Sequence, residues 1–143
     1  CACHLWDAMR REGQAIFFVS EKGGKSHELV NRAGFIYWHL PSFMRHRAPS
    51  MRGDKYYCTS ENEMLFHEQD SRIIGIGQGV MQLNTYTASR IFFDEAGLQE
   101  DFEEMYSAAQ PTINGGGKVT VVSSANGENF FKKLYDGDMG VED

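Results

Sequence analysis

The stretch Ser89-Arg-Ile-Phe-Phe-Asp-Glu-Ala-Gly97 decides how the rest of this sequence is read. Ile91, Phe92 and Phe93 form a short, evenly apolar run, the pattern of a strand buried on both faces in a parallel sheet covered by helices. The run ends in two adjacent carboxylates, Asp94 and Glu95, followed by an alanine and a glycine. In open α/β sheets, ligands bind beyond the C-terminal ends of the strands. The acidic pair is therefore a candidate site for a metal ion and a water molecule.

Two further runs share this character. Residues 15–20 (A-I-F-F-V-S) and 118–123 (K-V-T-V-V-S) read as buried strands. Helical periodicity fills the spaces between them. Ala2, Leu5, Trp6 and Met9 lie on one stripe that stops near Gly13, and Leu29, Ala33, Ile36, Tyr37 and Leu40 share a face ended by Pro41. A polar loop, E-K-G-G-K-S at 21–26, connects strand and helix. Leu98, Phe102, Met105 and Ala109 predict a helix closed by Pro111, with acidic residues favouring its N-terminal dipole. A last helix starts near Glu128 and carries Phe130, Phe131, Leu134 and Tyr135, ahead of a frayed tail. Strands alternating with helices predict an α/β fold with a parallel sheet. Residues 41–56 read as a surface excursion with a basic cluster of Arg45, Arg47, Arg52 and Lys55. Short strands at 56–59, 63–66 and 72–76 follow, as a β-meander or hairpin.

At 143 residues the chain has the size of one domain, able to bury about 70% of its unfolded surface. Ten Phe, six Tyr and two Trp exclude a disordered segment. No apolar run approaches the ~20 residues needed to cross a bilayer, and the N-terminal residues lack a secretory pattern, so a soluble, non-secreted protein is expected. Three cysteines predict reduced thiols and no disulfide framework. A net charge of −6 argues against a domain that coats nucleic acid by itself, although a localised contact at the basic cluster is compatible with it.

The acidic pair has a specific chemical reading. In P-loop ATPases an Asp at this strand end (the Walker B motif) holds Mg²⁺, and an adjacent Glu orients and deprotonates the attacking water. The plainer alternative is that Asp94 caps the following helix and Glu95 is solvated. Ser123, Ser124 and Asn126 end the next strand, one crossover downstream, which places them beside Asp94. There they could sense a γ-phosphate, or one of them could cap the last helix. Gly24, Lys25 and Ser26 imitate the end of a phosphate loop, G-x-x-x-x-G-K-S/T, but Val19 stands where its first glycine belongs. They are a weak alternative phosphate loop, and a plain strand-to-helix turn is the competing reading. Cys1, Cys3 and His4 lack the distant fourth ligand of a structural zinc site. His27, His39, His46 and His67 show no recurring spacing, and I-G-I-G-Q-G-V at 74–80 lacks the spacing of a dinucleotide fingerprint.

In this order the motifs resemble the ATPase region of the large terminase subunit of tailed bacteriophages, the motor that drives DNA into a preformed capsid. The resemblance covers nearly the whole chain. A-I-F-F-V-S-E-K and the helix ending in H-L-P-S-F-M look like the family's second strand and its helix, and R-I-F-F-D-E-A looks like its Walker B. Q-P-T-I-N-G-G-G-K-V-T-V-V-S-S-A-N-G looks like the approach to its coupling motif, with Ala125 where the family often has threonine and proline.

The resemblance implies a P-loop NTPase-like (ASCE-type) three-layer sandwich with a mainly parallel sheet. Residues 1–143 would be a partial ATPase domain, with the Walker A strand and loop ahead of Cys1 and a nuclease domain after Asp143. It further implies ATP and Mg²⁺ as cofactors, Asp94 as Mg²⁺ ligand, Glu95 as catalytic base, and Ser123, Ser124 and Asn126 as the coupling element. Partners would be double-stranded DNA, the portal protein and the small terminase subunit, in a homo-oligomeric ring on the portal in the host cell cytoplasm, with no membrane. The alternatives are a helicase-like or other P-loop motor, and a non-catalytic α/β interaction module.

Overall fold

The computed structural model describes residues 1–21, 23–45, 62–77 and 88–137. The apolar run that opens the sequence reading is strand β4 (Arg90–Asp94), between the 15–19 and 118–122 strands in the sheet. Ahead of it come α1 (Ala2–Arg10), β1 (Ala15–Val19), α2 (Gly23–His39), β2 (Glu63–Phe66) and β3 (Ser71–Ile76). After it come α3 (Phe102–Asn114), β5 (Lys118–Val122) and α4 (Phe130–Asp136). The five strands form one sheet in the order β2-β3-β1-β4-β5. β1 runs parallel to β3 and β4, and β4 parallel to β5, while β2 pairs antiparallel with β3.

Alternation along the central strands sends side chains to two separate cores. Ile16, Phe18, Ile73 and Phe92 meet Leu5, Met9, Val30, Ala33 and Tyr37 from α1 and α2. On the other face Phe17, Val19, Ile91 and Phe93 meet Phe102, Met105 and Ala109 of α3, with Phe130, Phe131 and Leu134 of α4 packed alongside. The result is a three-layer α/β sandwich. Ile16, Phe17, Phe18, Val19 and Phe93 are all 0% exposed, and burying each such side chain contributes about 1.5–3 kcal/mol. No helix among the described residues is long and apolar enough to cross a membrane.

Leu98 lies in a 3₁₀ turn ahead of α3, and Trp6 and Tyr135 are exposed, off the packed faces of α1 and α4; beyond these residues the structure departs from the sequence expectations in three places. Gly23 to Ser26 form the first turn of α2 and are not a loop. The 118–122 strand is not buried on both faces: Lys118, Thr120 and Val122 are exposed, because β5 is the last strand of the sheet among the described residues and the α1/α2 layer stops short of it. The third departure is that α3 runs through Pro111 to Asn114. Proline's fixed φ suits a helix and forfeits one hydrogen bond, and the helix ends where Gly115 and Gly116 (φ +84°) follow.

The hairpin of β2 and β3 is present, turning at Asp70 in the left-handed region, and β3 also joins the parallel sheet beside β1. Gly75 sits within β3, where a Cβ would lie 2.9 Å from the Ser26 carbonyl oxygen, so its absence lets α2 approach the sheet. The proposed strand at 56–59, the basic residues Arg47, Arg52 and Lys55, Cys58, His46, the end of the glycine run at 78–80 and the tail from 138 lie outside the described residues.

His4 is a buried polar group within this packing. It is 7% exposed, stacks edge-on against Phe18 and packs on Phe92, and its Nδ1 has no hydrogen-bond partner among the described residues. Burial, followed by the positive charges of the Cys1 amino group and Arg90, lowers its pKa to about 4. Between that value and the ordinary 6.5, the unfolded chain binds the proton that the folded chain refuses. Stability therefore falls as pH drops through this window. Unfolding titrations at pH 7 and pH 5 should differ by about 2 kcal/mol from this group, and His4→Leu should remove that part of the difference.

Candidate functional site

Asp94 is the last residue of β4 and pairs in register with Val122, the last residue of β5. Parallel pairing thus carries Asp94-Glu95 and Ser123 to Asn126 to the same C-terminal edge of the sheet. Immediately past β4 the chain leaves the ladder. Glu95 adopts a left-handed backbone (φ +54°), and Ala96–Leu98 form one turn of 3₁₀ helix. A non-glycine residue in this region carries a penalty of roughly 1–2 kcal/mol, which the surrounding bonds must offset.

Those bonds come from amide and hydroxyl side chains. Gln99 Nε2 donates to the Asp94 carbonyl at 2.7 Å. The Gly97 amide donates to Ser123 Oγ at 2.8 Å, and the Gly97 carbonyl accepts from Asn126 Nδ2 at 3.0 Å and from Asn129 Nδ2 at 2.9 Å. Gly97 has no room for a side chain, since a Cβ would lie 2.8 Å from Ser123 Oγ. Asn126 thus spends its described side-chain bond, and Ser123 Oγ its acceptor bond, on the turn after the carboxylates. Ser124 contributes its carbonyl, which accepts from Ser123 Oγ.

Neither capping alternative is what the geometry shows. Asp101 occupies the N-cap position of α3, and Glu95 that of the 3₁₀ turn. The cap of α4 is Asn129, whose Oδ1 accepts from the Lys132 amide at 3.1 Å. Sequence reasoning missed Asn129, although an asparagine directly before an apolar helical run is an N-cap signal.

Across the edge, Lys25 Nζ donates to Glu95 Oε2 and lies 3.7 Å from Glu21. The Glu95 bond, more than any other influence, raises the Lys25 pKa. Val19, in the place of a phosphate loop's first glycine, is fully buried as the last residue of β1, and Ser26 is 0% exposed beneath Gly75. A hydroxyl so enclosed is not open to a metal, so Gly24, Lys25 and Ser26 do not form a complete phosphate loop.

Burial raises the Asp94 carboxyl above the ordinary carboxylate range, and the neighbouring Glu95 charge adds to it. Arg32, Lys25 and the Cys1 amino group pull the other way with smaller effect. The amino end of α1 accordingly lies within electrostatic reach of Asp94. A cation bound here would relieve the repulsion. No cluster of three or more His, Cys, Asp or Glu able to hold a metal exists among the described residues, so a bound ion would take its remaining ligands from water or a phosphate, the habit of Mg²⁺.

Because its folded pKa is raised, ionised Asp94 opposes folding, and stability falls as pH rises through that pKa. Asp94→Asn should raise the thermal midpoint of the metal-free chain at pH 7, with the gap closing at acid pH as the wild-type carboxyl takes up its proton. A variant melting at or below wild type at pH 7 would contradict this assignment.

No family model and no curated protein matches the sequence. Among solved structures, the chain is similar to the large terminase ATPase domain of Thermus phage P74-26, at a TM-score of 0.54 and 16% identity over 92% of this chain. A point mutant of that domain matches with the same values. The chain spans 56% of the matched domain. The five-stranded, mainly parallel sandwich with its acidic edge thus has the fold of a large terminase ATPase domain.

Proposed function

We propose that the chain is part of the ATPase domain of a viral DNA-packaging motor, in which hydrolysis of ATP drives double-stranded DNA into a preformed capsid. The observation that supports this best is the shared edge: an acidic pair at the end of one parallel strand, hydrogen-bonded through the Gly97 peptide to the hydroxyl- and amide-bearing end of the next. In this reading Asp94 holds Mg²⁺, and Glu95 takes the proton of the attacking water. Mg²⁺, when bound, neutralises charge developing on the phosphates. Ser123, Ser124 and Asn126 form the coupling element, acting through the Gly97 turn.

In this reading the phosphate-binding loop would join α1 at its first turn, where His4 packs over Phe18 and Phe92 beside the strand ends that carry the acidic pair. A phosphate-binding loop there would face the acidic pair, and backbone N–H groups at its helix would supply the phosphate contacts. The proposed partners are the portal protein, the small terminase subunit and further copies of the same subunit arranged as a ring.

Two measurements test this function. The 143-residue chain alone should hydrolyse no ATP, and robust turnover would assign the phosphate contacts to residues within it. In the complete protein, Glu95→Gln should lower steady-state hydrolysis at least 100-fold while ATP affinity changes little. Normal turnover in that variant would overturn the reading.

A further inference from the structure

Asn129 holds two elements at once. Its Oδ1 caps α4, while its Nδ2 donates to the Gly97 carbonyl at 2.9 Å and to the Asn126 carbonyl at 3.0 Å. Gly97 is two residues beyond Glu95, whose left-handed backbone persists only if its surroundings hold it. Gln99 fixes the near side of this turn at the Asp94 carbonyl, and Gly97 is gripped at its N–H by Ser123 and at its C=O by Asn126 and Asn129 together. The direction of Glu95 is therefore set by groups outside its own strand.

We propose that Asn129 is a positioning residue for the Asp94-Glu95 pair: through the Gly97 carbonyl it locks the turn that aims Glu95, and it ties that turn to α4. This rests on the proposed hydrolytic role of the pair. Holding a catalytic group in its productive orientation acts on the chemical step, and a misplacement of about 1 Å can cost 10²-fold in rate. Loss of the lock should therefore lower kcat and leave KM nearly unchanged.

The cap bond at Asn129 Oδ1 and the two donor bonds of its Nδ2 can be separated chemically. Asn129→Asp keeps an oxygen to cap α4, and Asp is as good a cap as Asn, but it sets a carboxylate oxygen against the Gly97 carbonyl where a donor stood. In the complete protein, Asn129→Asp should retain helical content and a single cooperative unfolding transition, at a midpoint somewhat below wild type because two donor bonds are lost. Its kcat for ATP hydrolysis should fall at least ten-fold, with KM within two-fold of wild type. Gly97→Ala, whose Cβ would meet Ser123 Oγ at 2.8 Å and Asn129 Nδ2 at 3.2 Å, attacks the same lock from the other side. Its kcat loss should be less than additive with that of Asn129→Asp.

Wild-type kcat in a folded Asn129→Asp protein, or full additivity of the two variants, would overturn the proposal. If at the same time Glu95→Gln abolishes turnover, the hydrolytic reading stands and only the role of Asn129 falls. If Glu95→Gln turns over normally, both fall together.

Discussion

The parallel pairing of β4 with β5 is the constraint on which the site depends. Because Asp94 lies opposite Val122, both strands end at the same level and release their next residues side by side. An antiparallel partner would have carried Ser123 to Asn126 to the far edge of the sheet. The register is strongly specified, since Ile91 and Phe93 must face α3 while Phe92 faces α1, and a slip of one residue would exchange the two cores. The burial that stabilises the fold is also what places the chemistry.

Beyond the ends of the strands, hydrogen bonds take over from apolar packing. The turn at 95–98 leaves the sheet in a conformation that glycine tolerates and glutamate does not favour, and it is held by Gln99 on one side and by Ser123, Asn126 and Asn129 on the other. Lys25, arriving from the first turn of α2, meets the Glu95 side chain. Three elements separated widely in sequence thus converge on two carboxylates. Asp94 retains an electrostatic imbalance that favours a proton or a cation.

Much of this architecture is legible in local patterns. The Ile91–Phe93 and Ile16–Val19 runs announce buried strands because every side chain in them is apolar, and helical spacing places Leu5 and Met9 of α1 and Phe102, Met105 and Ala109 of α3 in the core, although Ala2, Trp6 and Leu98 of the same stripes stay exposed. Their placement at one edge follows from the α/β rule. The open face of β5 is not legible, because its valines and threonine favour a strand whether or not the outer face is covered, and coverage is a property of neighbouring layers. The grip of Asn129 on Gly97 and the reach of Lys25 to Glu95 span 32 and 70 residues, distances over which a periodic pattern carries no information. The start of α2 at Gly23 was obscured by two glycines that read as loop residues, and tertiary packing against β3 overrides that weak propensity.

The central claim is that the acidic pair and the β5 tip form a single nucleotide-facing edge. Mn²⁺-ATP, added to the complete protein as a paramagnetic stand-in for Mg²⁺-ATP, reads this directly through the broadening of backbone amide signals. The account predicts that the amides of Glu95, Ala96, Gly97 and Ser124 broaden first, while those of Gly13 and Gln14 at the opposite edge stay sharp. Broadening confined to that opposite edge, or none at saturating nucleotide, would contradict it.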